Sequence, residues 1–555
     1  MKIQEVTIHN FRGIEEQTIK LNSYSIFVGT NNAGKSTFID ALRAFYEKDY
    51  KFTDKDFSLS LKDEKEAWIE IVFSLNESDC EGLKKEYLLP DKTLRVRKIF
   101  ATNDSNYKNG TIYAYLSETN QLSSSSFYGW KGVQQGKFGN IIYIPAVSKV
   151  EDHTKMTGAS ALRDLLLNLM TNVAKSSSAY DNFRDSVDVF AREIRGLKDD
   201  QKNVLNSFEQ CFSAKLSNWN TSFGLTINPP TIDLIVKNMV GFQLNDLSLG
   251  VQQDVSAFGS GFQRHFIYSL LELSSQFEPK QSKVTAKESF LPEMTLILFE
   301  EPEAFLHPVQ QENMVKSLIK MTGAPNVQVI CTSHSPFMLS RKEQAIFSLI
   351  KASRDTGKVI YKQISHAKWD EIARSNLSAT DELSTSDHGE LRTTEMELMR
   401  YFILFNPDRL NIFFADQVLF VEGPSEIVLI NKLLDDGKLN IPSGCYILDS
   451  MGKFNMPKFM SLCKVFGITH SVLYDKDNEN DNQQSWNKLI ENSKNEFTRK
   501  THAIDNDLER FLGLSKVSGK DKHLKPQLIL EKYITNGVST EKINEFCQIV
   551  ENLFK

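Results

Sequence analysis

A chain of 555 residues is too long for one ordinary core and implies roughly two to four domains. With 41% hydrophobic and 25% charged residues it is composed like a globular protein, and no apolar run approaches the roughly 20 residues a membrane-spanning helix needs, which argues against a membrane protein. A net charge of −6 does not advertise nucleic-acid binding, yet a local basic groove or bound metal can reverse the field where it matters.

The start, "MKIQEVTIHN", reads as a strand and not as a signal peptide. Residues 1–154 continue as short strands ("SYSIFVG", "AWIEIVFSL", "NIIYIPAV") with one clear helix after residue 34, the first part of an α/β domain. In it, "GTNNAGKST" fits G-x-x-x-x-G-K-[ST], following a strand pattern and opening a helix pattern, the context this nucleotide loop requires. Its phosphate-binding residues are Gly29, Asn32, Gly34, Lys35, Ser36 and Thr37. The glycines let backbone N–H groups wrap the phosphates, Lys35 supplies charge, and the Ser36 hydroxyl holds Mg²⁺. Such a loop is expected to be exposed and to contribute little core.

Residues 155–222 change texture: "AYDNFRDSVDVFAREIRGL" and its neighbours place apolar residues at helical spacing, an inserted helical arm. Its apolar stripe fits a contact between subunits and packing on its own domain equally well. Alternation returns over 223–350. There "SAFGSGFQRHFIYSL" opens a helix with Ser260 and Gly261, whose free N–H groups suit an anion. Next, "TLILFEEPEAFLHP" is a buried-strand pattern ending in Glu300 and Glu301; one carboxylate can orient Mg²⁺ while its neighbour polarises water. A further apolar strand, "VQVICTSHSPFML", ends at His334, which reads as a γ-phosphate sensor.

A polar linker is expected over 351–412 and a second, smaller α/β domain over 413–555. "QVLFVEGPSE" reads as strand, turn and helix, with Glu422 at the strand end and Glu426 in the first helical turn. Further on, "SVLYDKDNENDN" puts Asp475 and Asp477 at another strand end, two residues apart and so on one side of an extended chain. A calcium loop starting at Asp475 fails, because position six is Asn480 and position twelve Trp486. Either acidic pair alone reads as surface carboxylates; together they suit an all-oxygen Mg²⁺ or Mn²⁺ site, with Ca²⁺ also accommodated. The six cysteines are scattered, with no Cys-x-x-Cys pair, which argues for reduced thiols in a cytoplasmic protein and against structural zinc.

The order of nucleotide loop, Gly-Ser-Gly helix, acidic strand and histidine strand resembles the ATP-binding-cassette ATPases of the Rad50, RecF and SMC type. That resemblance implies an ATP site with Glu301 as catalytic base, His334 as switch histidine, Arg12 nearby, and Ser260 and Gly261 completing the site of a partner subunit. Glu300 stands where that family usually has Asp. The second acidic constellation resembles the Toprim domain, and the fusion resembles the OLD (overcoming lysogenization defect) endonucleases, including the Gabija nuclease subunit. The resemblance adds Asp507 and Glu509 as metal carboxylates and Lys525 as catalytic lysine, with Lys520 and Lys522 as rivals. It implies an ATP-regulated DNA endonuclease in prokaryotic antiphage defence, dimeric or larger through the ATPase and the insert. A UvrD-like helicase or a retron reverse transcriptase with its DNA are implied partners. A non-cutting ATP-driven DNA sensor or clamp is the competing expectation.

Overall fold

The computed structural model describes the chain except residues 48–49, 62, 129–137, 147–165, 168–169, 171–177, 197, 200–201, 218–219, 226–230, 248, 277–289, 291, 293, 340–342, 382–405, 478–480 and 516–522. It opens with β1 (Lys2–Phe11), β2 (Ile14–Lys20), β3 (Tyr24–Val28) and a helix over Lys35–Tyr46. Strands β4 (Ala67–Ser74), β5 (Thr93–Ala101), β6 (Thr111–Tyr115), β7 (Leu122–Ser126) and β8 (Asn140–Ile144) come next.

Residues 147–286 form a compact unit of their own. It holds helices Ser178–Gly196, Val204–Leu216, Ile232–Met239 and Ser260–Gln276. Two small hairpins accompany them, β9 (Lys198–Asp199) with β10 (Lys202–Asn203) and β11 (Leu244–Asp246) with β12 (Val251–Gln253). The unit exceeds the expected insert of 155–222 and takes in the Gly-Ser-Gly helix, because helical periodicity marks helices but not which residues pack together.

Residues 1–146 and 287–555 form the other unit. Its later strands are β13 (Thr295–Glu300), β14 (Val327–Thr332), β15 (Leu349–Asp355), β16 (Lys358–Gln363), β17 (Gln417–Val421), β18 (Cys445–Asp449), β19 (His470–Asp475) and β20 (Thr498–Ile504). An antiparallel sheet runs β2-β1-β4-β5-β6-β7, and a second sheet runs β16-β15-β3-β14-β13-β8, parallel except at the β16 edge. A third, fully parallel sheet runs β18-β17-β19-β20. Strands β3, β14, β17 and β19 are buried along their whole length, which is why they read as continuous apolar runs and not as alternations. Strands β15 and β16 carry the second sheet to Gln363, so the first part of the expected 351–412 linker is sheet. All six cysteines are free. Among the described residues no helix is long and apolar enough to cross a membrane.

Two buried polar side chains tie the first sheet to its surroundings, one to the second sheet and one to the Lys35–Tyr46 helix. Gln328 of β14 accepts from Ile3 N and donates to Ile3 O and Asn22 O, at 2.8, 2.8 and 3.0 Å. Lys98 of β5 donates from Nζ to Ala44 O, Phe45 O and Glu47 O, at 2.7, 3.1 and 3.0 Å. The last carbonyls of a helix have no partner within it, so Lys98 satisfies the end of the helix that the nucleotide loop begins. Lys98→Ala strands those carbonyls and is expected to lower stability by about 2 kcal/mol. Denaturant titration checks this; an unchanged midpoint would show that water replaces the lysine without loss.

Candidate active site

Parallel strands put all their C-terminal ends on one edge, and β3, β14 and β13 are neighbours. The nucleotide loop after β3, Glu300 and Glu301 at the end of β13, and His334 after β14 therefore share that edge. Gly29 and Gly34 take φ of +146° and +103°, where a side chain is strained, and a Cβ on Gly29 would lie 2.3 Å from the Ala352 carbonyl oxygen. Asn32 is also left-handed, at φ +62°. Ser36 is exposed and Thr37 half-buried.

Lys35 departs from the expected exposed loop. It is 4% exposed, and its Nζ donates to Gly29 O and Thr30 O at 3.0 and 2.8 Å. Burial pushes its ammonium down to about 8, against the pull of Glu301 and Glu303. In this state the lysine ties its own loop together, so it is part of the local fold.

Glu301 adopts φ +44°, and its N–H donates to Thr332 O at 3.1 Å. Its Oε1 stands 3.3 Å from Nε2 of His334, whose pKa is lowered by burial and by Lys35. Glu300 accepts from the Tyr143 hydroxyl at 3.1 Å. Arg12, itself left-handed, is paired with Asp40 and Asp56. Sequence reasoning missed Glu303. This buried acid accepts from Ser333 Oγ and His334 N at 2.8 and 2.7 Å and so fixes the backbone at His334. Its place three residues after Glu300 in "EEPE" was the available signal. Ser260 and Gly261 begin the Ser260–Gln276 helix of the other unit, where Gln263 Nε2 donates to Phe258 O at 2.7 Å.

The third sheet repeats the geometry. Adjacent strands β17 and β19 end at Glu422 and Asp475, and Glu422 Oε1 accepts from Asp475 N at 2.8 Å. Glu426, buried in the Pro424–Asp435 helix, closes that helix's first turn by accepting from Gly423 N at 3.1 Å. Asp475 Oδ2 accepts from Leu508 N at 3.3 Å, which brings the segment after β20 to the same place. There Asp507 caps the Leu508–Phe511 helix through Arg510 N at 2.9 Å, and buried Glu509 meets Lys525 Nζ at 2.8 Å.

Burial and mutual repulsion raise the acids. Glu426 is pushed up to about 7 by burial and then by Asp475. Glu422 rises through burial and then the charge of Glu426, against the Asp475 N–H that it accepts from, and Asp475 rises through burial and then the charge of Glu422. Burial works to lower Lys525, but Glu509, with Glu426 and Asp475 behind it, raises it overall.

Asp477 corrects the sequence reading. The strand ends at Asp475 and Asp477 is left-handed at φ +47°, so the two do not share a side through an extended chain. Instead Lys453 Nζ donates to Asp475 O and to Asp477 Oδ2, at 2.7 and 2.9 Å. Sequence reasoning gave Lys453 no role. Lys520 and Lys522 lie outside the described residues, and Lys525 faces Glu509, Glu426 and Asp475. Among the described residues no three acidic, histidine or cysteine groups stand close enough to form a ready-made ligand cage. The donor chemistry nonetheless fits a divalent cation: an all-oxygen set of like-charged, largely buried carboxylates is relieved by one.

The two sites define an ATPase domain joined to a Toprim nuclease domain. Residues 1–128 and 99–339 match the AAA ATPase domain family model, and residues 413–477 match the overcoming lysogenization defect protein-like TOPRIM domain. The Old nuclease of Escherichia phage P2 is 23% identical over 489 residues, covering 86% of this chain and 77% of that protein. Endonuclease GajA of Bacillus cereus (strain VD045) is 23% identical over 496 residues, covering 86% and 75%. A solved SMC head bound to the C-winged helix domain of ScpA shares 14% identity, with a TM-score of 0.38, over 66% of this chain and 99% of that one. The chain belongs to the OLD family of endonucleases.

The raised Glu426 has a consequence for stability. Its folded pKa stands above that of an exposed glutamate, so between about pH 5 and 7 the native chain holds a proton that the unfolded chain has lost. Stability of the metal-free protein therefore falls as pH rises through that window. Glu426→Gln keeps a capping acceptor without the charge, and its melting temperature in chelator is expected to fall less steeply; an equal slope would assign the effect to other groups.

Proposed function

We propose that this chain is an ATP-regulated, divalent-metal-dependent DNA endonuclease acting in prokaryotic antiphage defence. The observation that carries the reading is the pairing of Glu422 and Asp475 at the ends of two adjacent parallel strands, with Glu426 in the helix that follows and Lys525 facing them. Glu422, Glu426, Asp475 and Asp477, with Asp507 and Glu509, would hold the metal. Bound Mg²⁺ or Mn²⁺ would supply Lewis-acid polarisation of a phosphodiester and an activated water, the two-metal route. Lys525 would stabilise charge on the phosphoryl oxygens, and Lys453 holds the Asp475–Asp477 turn in place.

On the ATPase side, Lys35 would exchange its loop carbonyls for phosphate, and Ser36 and Glu300 would serve Mg²⁺. Glu301 would act as base, His334 would sense the γ-phosphate, and Ser260 and Gly261 would complete a partner subunit's site. ATP control of cutting draws support from β15, where Lys351 pairs in register with Val28 at the start of the nucleotide loop. Lys351 is buried and interacts electrostatically with Cys463 and Asp416 beside the Toprim sheet. The defence setting, and a helicase or retron partner, rest on likeness to the GajA and OLD group alone.

Supercoiled plasmid with Mg²⁺ or Mn²⁺, with and without ATP, tests the proposal. Cutting is expected with metal and is expected to fall by on the order of a hundredfold or more in Asp475→Ala. If no metal supports cutting, with or without a partner, the non-cutting sensor or clamp stands instead. Glu301→Gln is expected to keep ATP and accumulate as an ATP-bound dimer. Light scattering that gives one mass with and without ATP would place the switch within a subunit.

A further inference from the structure

A cleft of about 330 Å³, within the size range of small-ligand sites, is lined by residues of the Met456–Phe466 and Asp481–Asn492 helices. Phe454 and Trp486 line it together with Lys458, Lys464, Lys494 and Asn495, and among the described residues no acid lines it. In a chain of net charge −6, such a local run of lysines is a departure that suits an anionic ligand. Lys494, just past the Asp481–Asn492 helix, also reaches Glu491 near its end, so its charge is shared.

The two aromatic rings meet at 63° with centroids 6.4 Å apart, forming a corner, and the Phe454 side of it is 51% exposed. A side chain on Gly452, at φ +98°, would lie 2.5 Å from the Phe454 ring, so this glycine lets the ring fold over the turn. Both rings are tethered to the acids through the residue next to them. Lys453, beside Phe454, donates to Asp475 O and Asp477 Oδ2; Asn487, beside Trp486, donates to Lys476 O at 2.8 Å, between those two acids. Aromatic faces with lysines around them are what an unpaired base and its phosphates require.

We propose that this cleft binds a single-stranded DNA segment, one base stacking in the Phe454–Trp486 corner and the adjoining phosphates lying on Lys458, Lys464 and Lys494. The proposal rests on the nuclease reading for its biological use, since it places an unstacked nucleotide next to the acids. Unstacking would also give the enzyme a preference for nicked, frayed or looped DNA over intact duplex.

Fluorescence anisotropy of a labelled oligo(dT) with the full chain, in chelator so that no cutting occurs, tests it. Phe454→Ala and Trp486→Ala are each expected to weaken binding by about tenfold, and Trp486→Phe to restore most of it. A Lys458→Ala/Lys464→Ala variant is expected to weaken binding and to flatten its salt dependence. Melting curves confirm that each variant is folded. Unchanged affinity in both aromatic variants overturns the proposal, as does loss in the lysine variant alone, which would mean a basic surface without a base pocket. Asp475→Ala separates the two readings. If it binds oligo(dT) like the native chain while no metal supports cutting by either protein, the cleft stands and the nuclease reading fails. If cutting is intact and Asp475-dependent while Trp486→Ala binds like the native chain, the cleft alone fails.

Discussion

Carboxylates of one sign gathered where water is scarce cannot all be ionised unless positive charge is brought to them. Everything at the C-terminal edge of the third sheet answers to that constraint. Glu422 and Asp475 are joined through a backbone bond, Glu426 caps a helix with one oxygen, and each is held above its ordinary pKa. Two lysines offset part of the charge, Lys525 through Glu509 and Lys453 through Asp477. Such a site is costly to the fold and useful to chemistry, since the same repulsion that raises the acids favours a divalent cation.

The ATPase half solves a related problem with the opposite charge. Lys35 is buried beneath its own loop with Glu301 and Glu303 opposing the cost of its burial. The loop's helix is pinned at its far end by Lys98, and β14 is pinned to β1 by Gln328. These clamps make the nucleotide loop, the acidic strand and the histidine strand one rigid edge, on which a small movement of Lys35 would be felt by its neighbours. Strand β15 pairs with β3 beside that edge and carries the buried Lys351, which interacts electrostatically with Cys463 and Asp416.

Much of this was legible in the sequence because strand ends leave marks there. Buried parallel strands are apolar runs, and the residues just past their ends at a shared edge are polar, so Gly29–Thr37, Glu300–Glu301, His334, Glu422 and Asp475 stood out. The structure brings Glu422, Glu426, Asp475, Glu509 and Lys525 into mutual influence. Buried lysines were not legible: Lys98, Lys351 and Lys453 look in sequence like ordinary surface charge, and for Lys35 it was the burial and the loop-carbonyl partners that only tertiary packing reveals. Asp477 misled for a local reason, because an extended chain was assumed across a residue that turns left-handed. Glu303 was hidden by two more conspicuous acids beside it. The extent of the 147–286 unit was hidden because helix periodicity says nothing of which helices pack together.

The central claim is that the acids at the ends of β17 and β19 form a divalent-metal site. Manganese binding to the nucleotide-free protein, monitored by electron paramagnetic resonance, measures it without reference to cutting. The account predicts that Mn²⁺ binds, that Mg²⁺ displaces it, and that Glu422→Gln combined with Asp475→Asn weakens it at least about tenfold. Equal Mn²⁺ binding by the native chain and by that folded double variant would contradict it.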